Sequence, residues 1–300
     1  MVMKQIGANI ASLAGCNLYD AIKDIHELNF QTIELLSFEG ARHSQGDVPG
    51  FWFDRMTVSE KEKLKKYLKD FDDITVHAPF FDAPLFTHNE YIKTEVIRQI
   101  EESIAAASFI GASVVTIHPN KKKSYEQQEY WDEMINTFRS LGNCALKYGV
   151  RIAIENMFYL DNKLITRGVP DTPDDYIRLI EEINHDAVGA NIDVGHFFGY
   201  VEPEIRCTNE GVSIYNEILM KVVTELSKKI YHCHLHDLRR TDWREHRAVI
   251  GKGIIDFERL FRYLKKTNYL GLMTLELEEK QKEEALIESR EYLENLLKKI

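Results

Sequence analysis

Short apolar runs rich in β-branched residues alternate with longer amphipathic runs along the whole chain, and eight such pairs can be counted. Period separates the two kinds: alternation at two marks a half-buried strand, and spacing of three and four marks a helix packed on one side. Strands are expected near residues 4–10, 31–37, 73–78, 113–118, 151–156, 188–193, 230–236 and 272–278. Between them, Ile97, Ile100, Ile104 and Ala107 keep helical spacing, and Gly111 follows as a stop. Thr57-x-x-Glu60 is a capping box ahead of Leu64, Tyr67, Leu68 and Phe71. Thr172-Pro173-Asp174-Asp175 supplies an N-cap, a proline at the first helical position and acid in the first turn. Lys147-Tyr148-Gly149 ends a helix just before the fifth strand, and Leu286, Leu293, Leu296 and Leu297 give the charged tail the stripe of a final helix.

A strand-helix unit repeated eight times implies parallel strands with right-handed crossovers, and that number closes a (β/α)8 TIM barrel rather than an open sheet. No linker or low-complexity stretch interrupts the series, so residues 1–300 are read as a single domain. Parity along the strands supports closure. Ile74 and Val76, Val115 and Ile117, Ile152 and Ile154, and Ile192 and Val194 share the face that lies under the helices. Thr75 and His77, Thr116 and His118, Ala153 and Glu155, and Asn191 and Asp193 share the other, which sets polar residues inward at the C-terminal strand ends.

Two connections exceed the usual length. Residues 39–56, after the second strand, contain Gly46, Pro49 and Gly50 and the aromatics Phe51, Trp52 and Phe53. That loop is expected either to be pinned to the barrel rim or to cover a substrate, and the same aromatics would serve in a homo-oligomer contact. Residues 238–250, after the seventh strand, are rich in Arg, Asp, Glu and His, whereas Lys121-Lys-Lys123 reads as a solvated turn.

Composition narrows the class. A net charge of -10 argues against steering to nucleic acid or anionic membrane by the overall field, although a local basic patch stays open. Cys16, Cys144, Cys207 and Cys233 are far apart and form no Cys-x-x-Cys pair, which points to reduced thiols rather than a disulfide framework. The N-terminus lacks the uninterrupted apolar stretch of a signal peptide and no run is long enough to span a bilayer, so the expected location is the cytoplasm.

Candidate chemistry gathers at the strand ends. Val188-Gly-Ala-Asn-Ile-Asp-Val-Gly-His196 ends in two potential metal ligands, Asp193 and His196, separated by a glycine expected to let the backbone turn sharply. Five other runs also end in histidine or carboxylate: Thr-Val-His77-Ala-Pro, Thr-Ile-His118-Pro-Asn, Ala-Ile-Glu155-Asn, His232-Cys-His234-Leu-His236-Asp237 and Thr-Leu-Glu276-Leu-Glu278. A lone strand-end histidine is more often structural than a ligand, but convergence changes the odds. Three carboxylates sharing one barrel mouth would repel one another, and a divalent cation removes that conflict. Oxygen ligands with one imidazole suit Mn²⁺ or Mg²⁺, and more imidazoles shift the preference to Zn²⁺. Which of His232, His234 and His236 takes part is left open by the residues alone.

The chain resembles the xylose-isomerase-like TIM barrels, a family that includes sugar isomerases, ketose 3-epimerases, inosose dehydratases and endonuclease IV type nucleases. The resemblance runs from Ile6-Gly-Ala-Asn9 to Glu276 and is carried by Ile154-Glu-Asn156, Asp193-Val-Gly-His196, His234-Leu-His-Asp237 and Ile250-Gly-Lys-Gly-Ile-Ile-Asp-Phe257. It implies Glu155, Asp193, His234 and Glu276 as ligands of a divalent metal, with Glu276 preferred to Glu278 because it lies five residues after Gly271. The sugar-converting branch implies one cation, with Glu155 and Glu276 as base and acid around an enediolate. His196 and Arg247 would then position oxygens of a sugar, sugar phosphate or inosose-like substrate, and His77 and His118 would lie beside them. The nuclease branch implies up to three zinc ions, with His77 and His118 as additional ligands and His196 on a further metal. Its third site uses an Asp-x-His pair where this chain has Glu245-His246-Arg247, out of register by one residue, with Asp242 further upstream; His246 is a candidate additional ligand there. A non-catalytic sugar-binding protein is the third reading, and it would not need both glutamates. The expectation is therefore a metal-dependent sugar isomerase or epimerase, ahead of a zinc-dependent nuclease acting on abasic DNA.

Overall fold

A computed structural model of the chain describes residues 5–119, 127–157, 170, 172–241 and 247–300. The expected turn at Lys121–Lys123 and the candidate His246 lie outside the described residues. Eight strands form where alternation predicts them: β1 Ile6–Asn9, β2 Thr32–Leu36, β3 Asp73–His77, β4 Val114–Ile117, β5 Arg151–Glu155, β6 Val188–Asp193, β7 Ile230–Leu235 and β8 Leu272–Leu275. All neighbours pair in parallel, and β1 pairs with both β2 and β8, so the sheet closes into a barrel. Each strand is followed by a helix: α1 Leu18–Glu27, α2 Val58–Leu68, α3 Glu90–Ile110, α4 Gln127–Tyr148, α5 Pro173–Ile183, α6 Asn209–Glu225, α7 Phe257–Lys266 and α8 Lys282–Lys299. Together they make the (β/α)8 TIM barrel that the repeat predicts.

The helix signals act where they stand. Thr57 Oγ1 accepts the Glu60 N–H while Glu60 Oε2 accepts the Thr57 N–H at 2.7 Å, the reciprocal bonding of a capping box. Gly111 closes α3 with φ of 84°, a conformation that carries no Cβ penalty in glycine. In α8, Leu286, Leu293 and Leu296 are buried against the barrel, as the tail's stripe implies.

Inside the barrel the residues sort by height. Val114, Ala153 and Leu272 form a small apolar floor against which Tyr231 packs. Above it Glu34, Thr75, Thr116, Asn191, His232 and Thr274 are fully buried polar residues. The register of β6 against β7 slips between Ala190 and Asn191, so that Asn191 faces His232 and Asp193 faces His234. An irregularity of this kind re-aims a side chain that strict alternation would place elsewhere. Here it brings an aspartate beside a histidine.

The long loop after β2 is fastened to the rim. Phe51 is only 2% exposed and its N–H donates to the Leu36 carbonyl at 3.1 Å, while Phe53 packs on Phe109 of α3. A Cβ on Gly50 would lie 1.9 Å from the Phe38 carbonyl oxygen, so no other residue fits that approach. A short hairpin, Arg42–His43 with Gly46–Asp47, leaves the same loop and ties to the end of β8 through Ser44 Oγ and Glu278 Oε1 at 2.8 Å. Among the described residues, no helix is long and apolar enough to cross a membrane, and all four cysteines are free.

Thr57→Ala removes one of the two capping bonds of α2. The expected loss is about 1 kcal/mol of unfolding free energy, read as a shift in the denaturant midpoint with the slope unchanged.

Candidate active site

At the C-terminal mouth of the barrel, β3 to β8 each end on a residue that turns inward. Glu155, Asp193 and Glu276, from β5, β6 and just beyond β8, converge with His77, His118, His196 and His234, and all are buried. His234 Nδ1 lies 3.3 Å from Glu155 Oε2, 3.2 Å from Glu276 Oε2 and 4.0 Å from Asp193 Oδ2. Glu155 Oε2 is also 3.4 Å from Nε2 of both His77 and His118, and Glu155 Oε1 is 3.3 Å from His196 Nδ1. The histidine question that alternation leaves open is answered by height. His232 sits beneath with the threonines, His234 meets the carboxylates, and His236 donates from Nε2 to Asp193 Oδ1 at 2.9 Å.

Asp193 and Glu276 each spend one oxygen on the protein and leave the other without a donor among the described residues. Asp193 Oδ1 accepts the N–H groups of Gly195 at 2.8 Å and His196 at 3.2 Å, besides His236. Glu276 Oε1 pairs with Arg247 Nη1 at 2.9 Å. Asp193 Oδ2 and Glu276 Oε2 accept no hydrogen bond among the described residues, though both are buried. A buried carboxylate oxygen without a donor is costly, and two aimed at one point call for a cation. Groups of His, Asp and Glu here have ligand atoms close enough to hold a metal ion: Asp193, His234 and Glu276; Glu155, Asp193 and His196; and His77, His118 and Glu155.

Two imidazoles carry the same message. A backbone carbonyl can only accept, so His77 Nδ1 donates to the Ala78 carbonyl at 2.9 Å and His196 Nδ1 donates to the Asn156 carbonyl at 2.8 Å. Their Nε2 atoms are thereby turned to Glu155 and to Asp193 Oδ2, at 3.4 Å and 3.3 Å. Acceptor then faces acceptor unless a proton or a metal lies between.

The electrostatics follow from this crowding. Burial opposes the charge of Glu155, but His118 and His234 against it hold its carboxyl well below the usual range. Burial likewise opposes Glu276, and Arg247 and His234 bring it well below. Desolvation works against a charge on His234, yet Glu34, Glu155 and Glu276 around it push its pKa well above the ordinary value. At His232 burial outweighs the pull of Glu34 and Glu155, and its pKa falls to about 4.

The loop after β7 is organised by Asp237. Its carboxylate accepts the N–H groups of Leu238 at 2.9 Å, Gly251 at 3.0 Å, Gly253 at 2.9 Å and Ile255 at 3.2 Å, which pins the Gly-Lys-Gly turn. A paired backbone bridge between Asp237 and Ala248 then sets Arg247 against Glu276. Arg247, expected to meet substrate oxygens, is placed on a carboxylate. Glu278 points away from the site, to Ser44. Gly195 has an ordinary helical backbone, φ -85° and ψ -22°, so the sharp-turn reason for it does not hold. Its role is space: a Cβ there would stand 1.9 Å from His236 Cε1.

Two participants, and the role of a third that lay within a quoted motif, escaped the reading of the sequence. Glu34 of β2, whose inward parity next to Thr32 was the available signal, contacts His234 Nε2 at 2.8 Å. Phe80 packs over His118 and His77 with ring centroids 4.4 and 4.9 Å apart, next to Phe38, and Phe81 beyond it is 48% exposed. Asn156 clasps Asp193, giving Nδ2–H to its carbonyl at 2.9 Å and accepting its N–H at 2.8 Å.

A family model described as xylose isomerase-like TIM barrel matches residues 22–296. The chain belongs to that family. The crystal structure of a D-tagatose 3-epimerase-like protein superposes on it with a TM-score of 0.74 at 22% identity, covering 98% of this chain and 97% of that one. An inosose dehydratase of Lactiplantibacillus plantarum is 22% identical over 286 residues, spanning 88% of this chain and 82% of the relative. A probable endonuclease 4 of Mycoplasmopsis agalactiae is 26% identical over 216 residues, spanning 68% and 70%. Family membership is thus common to relatives named for quite different reactions, so the chemistry has to be argued from the site.

His232 yields a pH prediction whose sign can be worked out. Its folded pKa, about 4, lies below the ordinary histidine value of 6.5, so between these limits the unfolded chain binds the extra proton. Stability from a neutral His232 is complete above pH 6.5 and is lost as the pH falls towards about 4. Relative to His232→Gln, the wild type should lose about 1.4 kcal/mol per pH unit across that window, measured by denaturant melts. An unchanging difference would show that the imidazole titrates normally.

Proposed function

We propose that the chain is a divalent-metal-dependent enzyme that isomerises or epimerises a small sugar or sugar-like polyol ketone. The observation that carries this reading is the meeting of Glu155, Asp193 and Glu276 oxygens around His234 Nδ1, two of them without a hydrogen-bond donor. A divalent cation held by these four side chains would polarise the substrate carbonyl and balance the charge that develops on its oxygen.

The chain's own groups move the proton. Glu155 Oε2 and Glu276 Oε2 both lie against His234 Nδ1, and the charged groups around them hold both carboxyls well below the usual range, so either can accept a proton from the carbon next to the carbonyl. The C–H electron pair becomes the C=C bond of an enediolate as the carbonyl π pair moves onto oxygen. A proton taken up from water by the opposite glutamate and delivered to the other face then completes epimerisation, while the first glutamate gives its proton back to water. Delivery of a proton to the former carbonyl carbon gives isomerisation. Loss of a hydroxyl one carbon further on would be dehydration, which begins with the same transfer. Arg247 pairs with Glu276 Oε1 and turns its other oxygen to the site, while His77, His118 and His196 would meet substrate oxygens in this reading. Phe80 walls the histidine side with apolar surface. The free thiols agree with a cytoplasmic enzyme.

A second reading, hydrolysis of a phosphodiester with two or three zinc ions, is favoured by one observation. His77 and His196 present Nε2 to carboxylate oxygens in the way further metal ligands would.

Glu155→Gln and Glu276→Gln should fold as the wild type does and each lower solvent-deuterium incorporation at the substrate carbon by about a hundredfold or more. Undiminished incorporation in both variants sinks the acid/base assignment. Metal analysis separates the two readings. One ion per chain, with stripping that lowers the melting temperature and abolishes turnover, supports sugar chemistry. Two or three zinc ions together with cleavage of abasic duplex DNA would establish the second reading instead.

A further inference from the structure

Beneath the carboxylates, Glu34 lies fully buried on β2, and its oxygens collect donors from across the barrel. Asn9 Nδ2 of β1 lies 2.8 Å away, His234 Nε2 of β7 2.8 Å, Thr274 Oγ1 of β8 3.1 Å and Thr116 Oγ1 of β4 3.3 Å. β2 and β7 are not neighbours in the sheet, so the contact with His234 crosses the interior. Glu34, His232 and His234 are themselves spaced as metal ligands could be, but the Glu34 oxygens are already occupied by these protein donors.

The chemistry of the contact assigns the proton. An ionised carboxylate only accepts, so at 2.8 Å the hydrogen sits on His234 Nε2. Nδ1 is then the nitrogen presented to Glu155, Asp193 and Glu276. We propose that Glu34 is a positioning residue, which selects the ring nitrogen that His234 offers to a divalent cation and locks the ring in that orientation. This rests on the metal reading above. A buried carboxylate is an expensive way to fill a barrel, and Asn9, Thr116 and Thr274 could bind an uncharged amide as well. What needs the charge is the imidazole: a carboxylate behind a ligating histidine raises its basicity and fixes its tautomer.

The test combines the wild-type protein with Glu34→Gln. Heteronuclear NMR of the imidazole nitrogens in zinc-loaded wild type should show His234 ligating through Nδ1, with a slowly exchanging, hydrogen-bonded proton on Nε2. Calorimetric titration of metal-free Glu34→Gln with zinc and with manganese should show affinity lowered about 10- to 100-fold, while its metal-free melting temperature stays near the wild type's. Ligation through Nε2 in the wild type overturns the proposal, and so does unchanged affinity in the folded variant. Should the variant not fold, the wild-type spectrum decides alone. If the wild type takes up no divalent cation, the metal reading itself falls. The Nε2 proton in metal-free protein then judges Glu34 separately, and its absence overturns the placement.

Discussion

The rest of this barrel depends on one crowded imidazole. His234 is enclosed by four carboxylates, with Glu34 below and Glu155, Asp193 and Glu276 above, all drawn out of water. Like charges at this distance in a poorly polarisable interior repel strongly, and no protein of ordinary stability keeps such a cluster without compensation. The carboxylates push the pKa values of His234 and His77 up, which offsets part of the conflict, and a divalent cation would offset more. The closed sheet is what makes the conflict sustainable. Each strand end is held by two neighbours, so the carboxylates cannot swing apart to reach solvent.

Partition of lone pairs makes the cluster directional. Asp193 gives one oxygen to Gly195, His196 and His236, and Glu276 gives one to Arg247, so each has a single oxygen left to face inward. The supporting groups come from backbone and from loops that are themselves pinned, Asp237 on the Gly-Lys-Gly turn being the clearest case. Sites built in this way are organised before anything binds, because the cost of orienting the ligands is met during folding. The space at Gly195 belongs to the same design, since a side chain there would displace His236 from Asp193.

The two proposed readings, sugar conversion and phosphodiester hydrolysis, would both draw on this cluster and would differ only at its edge. The His77 and His118 side of Glu155 is where a further cation would sit or where a substrate oxygen would rest, and Phe80 closes it from above. Apolar surface over imidazoles suits the C–H face of a small polyol, which is why the first reading is preferred. Overall charge cannot decide between them, because the field at the mouth is set by a few buried groups.

By itself the sequence determined the barrel and most of the ring of inward-facing histidines and carboxylates. Eight alternating units, with caps such as Thr57 and Thr172, are local signals written within a few residues of the structures they produce. Strand parity is equally local, so Glu155, Asp193, His77 and His118 could be placed inward before any fold was seen. Alternation left three histidines open and the family resemblance chose His234; why it is His234, the hold of Arg247 on Glu276 and the part played by Glu34 show only in the tertiary structure. These depend on a register slip in one strand pair, on the loop bridge that carries Arg247 to Glu276, and on the contact of Glu34 with a histidine two hundred positions away, and no periodicity along the chain encodes them. The twofold use of glycine shows the same divide: Gly111 was legible as a helix stop because its reason is backbone conformation, whereas Gly195 owes its place to a histidine brought in from another strand.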